Sequence, residues 1–332
     1  MKSDPDNLVP HTPDNARGTR KGERLRRRAA WMYYVEEMTQ SDIAAALDIG
    51  RVSVVRMLSE ARALGEVRIM VSREAADLAG LEIQLQRAYH IPQVVIAPLS
   101  SPLADPTAAI GAATGQVVSE MLRPNMKIGV GWGRTLIQSL NYLGERAVPG
   151  LSVVSLVGGI TRVSRINPAE FAWQFARAYQ ADCFLIAAPA IVDSVVTKQS
   201  LIQRCGLGEV YAFSKSLDAI VVGVGAITAS ATINILGLLK PAEREEVMAL
   251  GAVGDILCNL FDANGQLIDH SVNTRVMSVP IDTIAAAPIR VLAAGGAQKI
   301  EAIAGAIHLT RPTTLITDEV TAAALLQRAA PA

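Results

Sequence analysis

The chain has 332 residues, half of them apolar and only 4% aromatic, and its 31 basic side chains balance 31 acidic ones. That length suits one large domain plus a small one, and an interior filled by Ala, Val, Ile and Leu suits helices packed on a parallel sheet. A disulfide framework, a metal site and a membrane span are all disfavoured: Cys183, Cys205 and Cys258 lie far apart in apolar surroundings and read as buried small hydrophobes, and no apolar run reaches the ~18 residues of a span.

Charge is unevenly distributed. Residues 17–73 hold twelve Lys or Arg against seven Asp or Glu, while the flanking stretches are mildly acidic. A basic module joined to an acidic body is the pattern of a protein that meets nucleic acid at one end; a merely solvated face would give the same count. The opening MKSDPDNLVPHTPDNARG lacks the apolar core of a leader peptide, so a cytoplasmic protein is expected.

In chain order, residues 1–20 are rich in Pro, Asp and Asn and read as a disordered tail. Residues 21–72 read as a helix-turn-helix module with helices near Glu23–Glu36, Gln40–Leu47 and Arg51–Leu64, followed by a wing-like GEVRIMVS. Thr39 precedes the second helix with Asp42 three residues on, a variant of the capping box. Ile43, Ala44 and Leu47 supply an inward face, Asp48-Ile49-Gly50 a tight turn, and Val54, Met57, Leu58 and Ala61 the packing face of the third helix. Arg51, Ser53, Val55 and Arg56 then point toward solvent or a groove, as in a helix that reads the major groove, with Thr39 and Gln40 alongside. A helical hairpin for protein contacts remains the alternative. Residues 73–90 read as a linker helix with a seam of Leu78, Leu81, Leu85 and Ala88, suited to its own domain or to a dimer coil.

Residues 91–330 alternate strand-like runs (QVVIAP, MKIGVG, SVVSLVG, CFLIAA, DAIVVGVG, IRVLAA, TTLIT) with helical stretches such as TAAIGAATGQVVSEML and QKIEAIAGAIHL. Repeated β-then-α predicts an α/β fold, a doubly wound and mostly parallel sheet. Three glycine-rich elements fall at strand-to-helix junctions: IGVGWGRTL, VSLVGGITR and LAAGGAQKIEAI. In two of them a cation, Arg134 or Lys299, falls in a first helical turn, where it opposes the macrodipole by roughly 0.3–1 kcal/mol unless an anion is bound. Glycine turns that exist for packing, with both cations reaching solvent, are the rival account. The dinucleotide fingerprint GxGxxG is missing, which disfavours a nucleotide-dependent oxidoreductase.

TQxxIAxxL followed by RxxVxRxLxxARxxG, carried here by Thr39, Gln40, Ile43, Ala44, Leu47, Arg51, Val54, Arg56, Leu58, Ala61, Arg62 and Gly65, closely resembles the N-terminal module of the SorC family of sugar-responsive bacterial regulators. GVGWGRTL, SLVGG, NPAEFA, GAVGDI, AGGAQKIEAI and LITDE continue the resemblance through about residues 23–328. It implies a transcriptional regulator that binds operator DNA and a phosphorylated sugar or polyol, on a fold resembling sugar-phosphate isomerases and deaminases. No cofactor is expected, and a homodimer or homotetramer is expected because one small module has little contact area and the 78–88 seam offers a junction. Carried over by motif, Gly131, Gly133, Arg134 and Thr135 would form the ligand loop, Gly158 and Gly159 a second loop, Asp255 would accept from sugar hydroxyls and Lys299 would pair with phosphate or a hydroxyl. Asn167, Pro168 and Glu170, and equally Thr317, Asp318 and Glu319, read as helix caps. Relatives that capture an aldehyde place a lysine near the second loop; Thr161-Arg162-Val163 stands there instead, which argues against an imine. WMYYVEEMTQ, NPAEFAWQFA and APAIVDS look most like a branch linked to erythritol and related polyols. The alternative function is a sugar-phosphate isomerase or deaminase with an N-terminal appendage, which would need a general base that the dispersed histidines do not supply.

Overall fold

A computed structural model describes residues 14–67, 76–160 and 167–329, with side chains from residue 22 in the first stretch and 78 in the second. The chain divides into two compact units, residues 1–72 and 73–332.

The first unit holds three helices, α1 (Asp14–Tyr34), α2 (Gln40–Ala46) and α3 (Arg51–Ala63). Helix α1 starts at Asp14, inside the stretch expected to be disordered, because no proline follows Pro13 to stop a helix until Pro92. Thr39 caps α2 by accepting the Asp42 amide at 3.3 Å, and its hydroxyl donates to the Asp42 carboxylate at 2.6 Å. The turn to α3 takes its left-handed residue at Asp48 (φ 51°), not at Gly50, which serves as the N-cap. Ala29, Ala30, Met32, Ile43, Val54, Leu58 and Ala61 form the core. Part of the basic run is consumed internally. Arg26 grips Glu66 through two bonds of 2.7 and 2.8 Å and also reaches Glu60, while Arg27 pairs with Glu23 and Glu66. The Arg26 hydrogen bond holds the Glu66 carboxyl below the usual carboxylate range. Most of the expected wing lies outside the described residues.

The second unit opens with α4 (Ala76–Tyr89), β1 (Gln93–Ala97), α5 (Thr107–Met121), β2 (Lys127–Val130), α6 (Arg134–Ser139), β3 (Ser152–Ser155), α7 (Pro168–Ala178) and β4 (Asp182–Phe184). Then come α8 (Val195–Arg204), α9 (Leu207–Ser214), β5 (Ala219–Val222), β6 (Gly225–Ala226), α10 (Thr232–Ile235), α11 (Pro241–Ala249), β7 (Ala252–Ile256) and β8 (Asn259–Asp262). It closes with α12 (Ser271–Arg275), α13 (Ile281–Ala286), β9 (Ile289–Ala293), α14 (Ile300–Thr310), β10 (Thr314–Asp318) and α15 (Glu319–Ala329). Seven strands form one wholly parallel sheet in the order β1-β10-β9-β5-β2-β3-β4. They are the seven apolar runs picked out in the sequence. A small antiparallel sheet, β6-β7-β8, was not anticipated.

Alternation along the strands divides the interior in two. Val94, Ile96, Val154, Leu156, Ile220 and Val222 pack on one face, and Val95, Ala97, Ile128, Val130, Val153 and Val221 on the other. Helices α5 and α7 cover the second face through Ile110, Val118, Phe171 and Phe175, whereas α14 and α15 cover the first through Ile303, Ile307 and Leu325. Helix α4 docks on its own unit: Leu85 is fully buried, Tyr89 donates to the Leu325 carbonyl and Glu82 accepts the Ile96 amide, while Ala88 stays exposed. Of the cysteines, Cys258 is buried, Cys183 partly so and Cys205 exposed. Cys205 departs from the expectation because it is the C-cap of α8, where the chain turns outward into left-handed Gly206. No helix among the described residues is long and apolar enough to cross a membrane.

Candidate functional site

In the seven-stranded sheet the chain winds outward through β2, β3 and β4 on one side and through β5, β9 and β10 on the other, so the order reverses between β2 and β5. Loops leaving the carboxyl ends of two such strands diverge and leave a crevice. An open cleft lies there. Its walls come from the loop after β2 (Trp132 to Leu136), the segment after β5 (Gly223 to Ala226), Thr228 to Ile233, Asp255 and Leu257 of the β7–β8 hairpin, and Gln298 and Lys299 after β9.

Two glycines make these loops possible. Gly133 (φ 125°) and Gly296 (φ 106°) take backbone conformations that side chains disfavour, and each starts a helical turn. Arg134 is therefore the first residue of α6, exposed at the cleft mouth, and Lys299 ends the short turn leading into α14. Thr135 is 8% exposed, and among the described residues its hydroxyl has no hydrogen-bond partner; it does not cap α6. Asp255 is 6% exposed and accepts the Cys258 amide at 3.1 Å. It sits beside Gly225, its partner across β6 and β7, where any Cβ would run into the carboxylate.

Burial pushes the Asp255 carboxyl up to about 6, against the Cys258 hydrogen bond and the charge of Lys299, which both pull it down. Burial also lowers the Lys299 ammonium; Arg134 nearby lowers it further, and Asp255 and Asp105 oppose both effects. Asp105, on the loop after β1, is held below the usual range by hydrogen bonds from Thr107, including its amide at 2.9 Å, and secondarily by Arg134 and Lys299. The structure thus gathers Gly133, Arg134, Thr135, Asp255 and Lys299, whose sequence positions span more than half of the second unit.

Gly131, Gly158 and Gly159 do not line this cleft. A Cβ on Gly131 would press on Leu257 and Val221, and one on Gly158 would come within 2.5 Å of the Ala188 carbonyl. Gly159 is held by a backbone pair, donating to Ala188 and accepting from Ala190. Close packing accounts for Gly131 and Gly158, whereas a Cβ on Gly159 would meet nothing nearer than the Asn167 side chain at 3.9 Å. The cap assignments have direct partners: Asn167 accepts the Ala169 amide, and Asp318 accepts from Thr321 as well as from Gly296, tying the third glycine loop to the end of β10. His270 caps α12 and pairs with Glu246 at 2.9 Å, away from the cleft. Among the described residues no His, Cys, Asp and Glu cluster suits a metal ion.

In the first unit, Arg51, Val55 and Arg56 lie exposed on α3, whose buried residues are Val54, Leu58 and Ala61. Ser53 is half-buried at the side of that face, and Val52 occupies its middle instead. Neither Arg51 nor Arg56 is in an ion pair among the described residues. Gln40 opens α2 directly after the Thr39 cap.

A protein-family model described as "Putative sugar-binding domain" matches residues 73–327. The transcriptional regulator LsrR of Klebsiella pneumoniae is 30% identical over 92% of this chain and 93% of its own length. The crystal structure of the full-length sorbitol operon regulator SorC from Klebsiella pneumoniae superposes with a TM-score of 0.69 at 26% identity, covering 91% of this chain and 98% of that one. The chain belongs to the SorC family of sugar-binding transcriptional regulators. The erythritol catabolism regulatory protein EryD of Brucella abortus, 29% identical over 90% of this chain and 95% of its own, is similar to it over nearly its whole length. In this SorC-family chain the motif string marked the loops after β2 and β9, but not the wall from Gly223 to Ile233, nor Asp105. VVGVG at the end of β5 carried a usable signal, a strand running into glycines beside the switch point; Thr228, Ser230 and Thr232 carried none.

Proposed function

We propose that this regulator is a cytoplasmic, DNA-binding sensor of carbohydrate or polyol catabolism, with residues 1–72 as the reader and 73–332 as the sensor of a phosphorylated sugar or polyol. Arg134 and Lys299 take the phosphate, while Asp255 and Thr135 take hydroxyls. Arg51, Ser53, Val55 and Arg56 face base edges, with Thr39 and Gln40 at the DNA backbone. The observation that carries the sensor reading is the convergence of two cations from different helical starts on one cleft at the switch point. Cations there gain most from an anionic group, because charge-assisted hydrogen bonds are roughly twice as strong as neutral ones. Similarity to the erythritol regulator supports a small polyol phosphate as the class. The cleft is given no catalytic role: its one lining carboxylate already accepts an amide, and no histidine stands beside it among the lining residues.

The test is calorimetric titration of wild type, Arg134→Ala and Lys299→Ala with matched phosphorylated and free polyols. Each variant should lose far more affinity for the phosphorylated form, with operator binding retained. Equal losses for both forms would remove the phosphate assignment.

A further inference from the structure

Helix α3 presents a face that the fold does not use. Arg51, Val52, Val55 and Arg56 recur at the spacing of one helical side, i, i+1, i+4 and i+5. Val52 is 83% exposed and Val55 42%, and the buried and half-buried core contacts of this helix come from Val54, Met57, Leu58 and Ala61. Local stability does not explain them, because β-branched residues are poorer helix formers than alanine, lysine or glutamate at exposed positions. Both valines also stand between two exposed guanidiniums that have no ion-pair partner among the described residues. Methyl groups in the middle and fixed positive charge at the margins complement one surface closely, the major groove: phosphates form its rims, and the C5-methyl of thymine is its apolar landmark.

We propose that Val52 and Val55 are specificity-determining residues that read thymine C5-methyl groups in the major groove of the operator. The inference rests on the DNA-binding reading above and adds which base is recognised and by what contact. Arg51 and Arg56 supply attraction to phosphate or guanine; the valines supply discrimination through apolar contact. Val52 carries the larger share because it has the larger free surface.

The experiment begins by selecting high-affinity duplexes from a random pool with the full chain. Each thymine of the selected site is then replaced by deoxyuridine, which deletes one methyl group and leaves pairing and phosphates intact. Removing a buried methyl should weaken wild-type binding about fourfold at one or two positions per half-site. Val52→Ala should abolish that penalty at one position and Val55→Ala at another, while Val52→Thr, which keeps one methyl, should retain part of it. Both valines are exposed and alanine favours helix, so the variants keep their fold, which circular dichroism verifies. Uniform indifference to deoxyuridine, or the same penalty in wild type and both alanine variants, overturns the proposal while leaving DNA binding intact. A shift in oligomeric state with unchanged DNA selectivity also overturns it, in favour of a protein contact. A pool that yields no enriched duplex overturns the DNA-binding reading itself, and this inference with it.

Discussion

Replacing Asp255 by asparagine should stabilise the protein at neutral pH and not at acid pH. The carboxyl is buried, with its pKa raised from 3.8 to about 6, so the folded state holds a proton more tightly than the unfolded chain does. A group shifted in this direction contributes stability that is fully present below the unfolded pKa and is lost as pH rises through the folded one. Integrated over that gap, ionising Asp255 costs about 3 kcal/mol, of which about 2 kcal/mol falls between about pH 4.5 and about pH 7.5. An asparagine oxygen can still accept the Cys258 amide, and the amide group does not ionise. The difference in unfolding free energy, Asp255→Asn minus wild type, should therefore grow by about 2 kcal/mol across that interval, or roughly 5 °C in midpoint. Urea and thermal unfolding of both proteins, followed by tryptophan emission at the two pH values, measure this directly, and the other titrating groups cancel in the difference. A pH-independent difference would mean that Asp255 is solvated or fully compensated by Lys299, and the account of a strained carboxylate in the cleft would be wrong.

Arg51→Ala and Arg56→Ala should each weaken operator binding by about 1–3 kcal/mol and leave effector titrations unchanged; footprints identical to wild type would rule out α3 as the reading helix. Gly225→Ala places a Cβ against the Asp255 carboxylate on a paired strand, so it should destabilise the sensor unit by about 1–3 kcal/mol and weaken effector binding, as thermal unfolding and calorimetry would show. The protein should sediment as a dimer or larger, meeting half-sites spaced by about one helical turn or a multiple; a monomer with and without operator contradicts this.

The large sheet was legible because parallel strands covered on both faces are largely apolar, and most of the seven runs are short, rich in Val and Ile and bounded by glycine, proline or a helical pattern. The β6-β7-β8 sheet was not, for an equally physical reason. Its first strand is two residues long, and the β7–β8 connection turns at Leu257 and Cys258, both left-handed (φ 52° and 66°) where a reader expects Asn-Gly. Tertiary packing overrides turn chemistry here: both residues are buried, Leu257 floors the cleft, and the Cys258 amide is held by Asp255. In the first unit the reach of α1 back to Asp14 was missed because composition measures what a segment can bury, not whether a neighbouring helix can extend into it.

The site divides along the same line. Arg134 and Lys299 announced themselves through a local conflict, a cation set against a helix start, which sequence displays directly. Asp255 was found only through family likeness, since one carboxylate in an apolar strand is as readily a structural acceptor, and here it is one. Asp105 could not be found locally at all. Its influence on Arg134 and Lys299 exists because the β1 loop is folded over the third glycine loop, with Pro106 against Gly296. That placement also changes how the cations should be weighed. With Asp105 and Asp255 both nearby, the pair is already partly neutralised, so an incoming phosphate gains only the difference between its own hydrogen bonds and the carboxylate interactions it weakens. On the proposed reading, selectivity for a phosphorylated ligand comes from geometry at Arg134, the more exposed of the two cations, and depth of insertion from Lys299, which burial has made the costlier charge to leave unpaired.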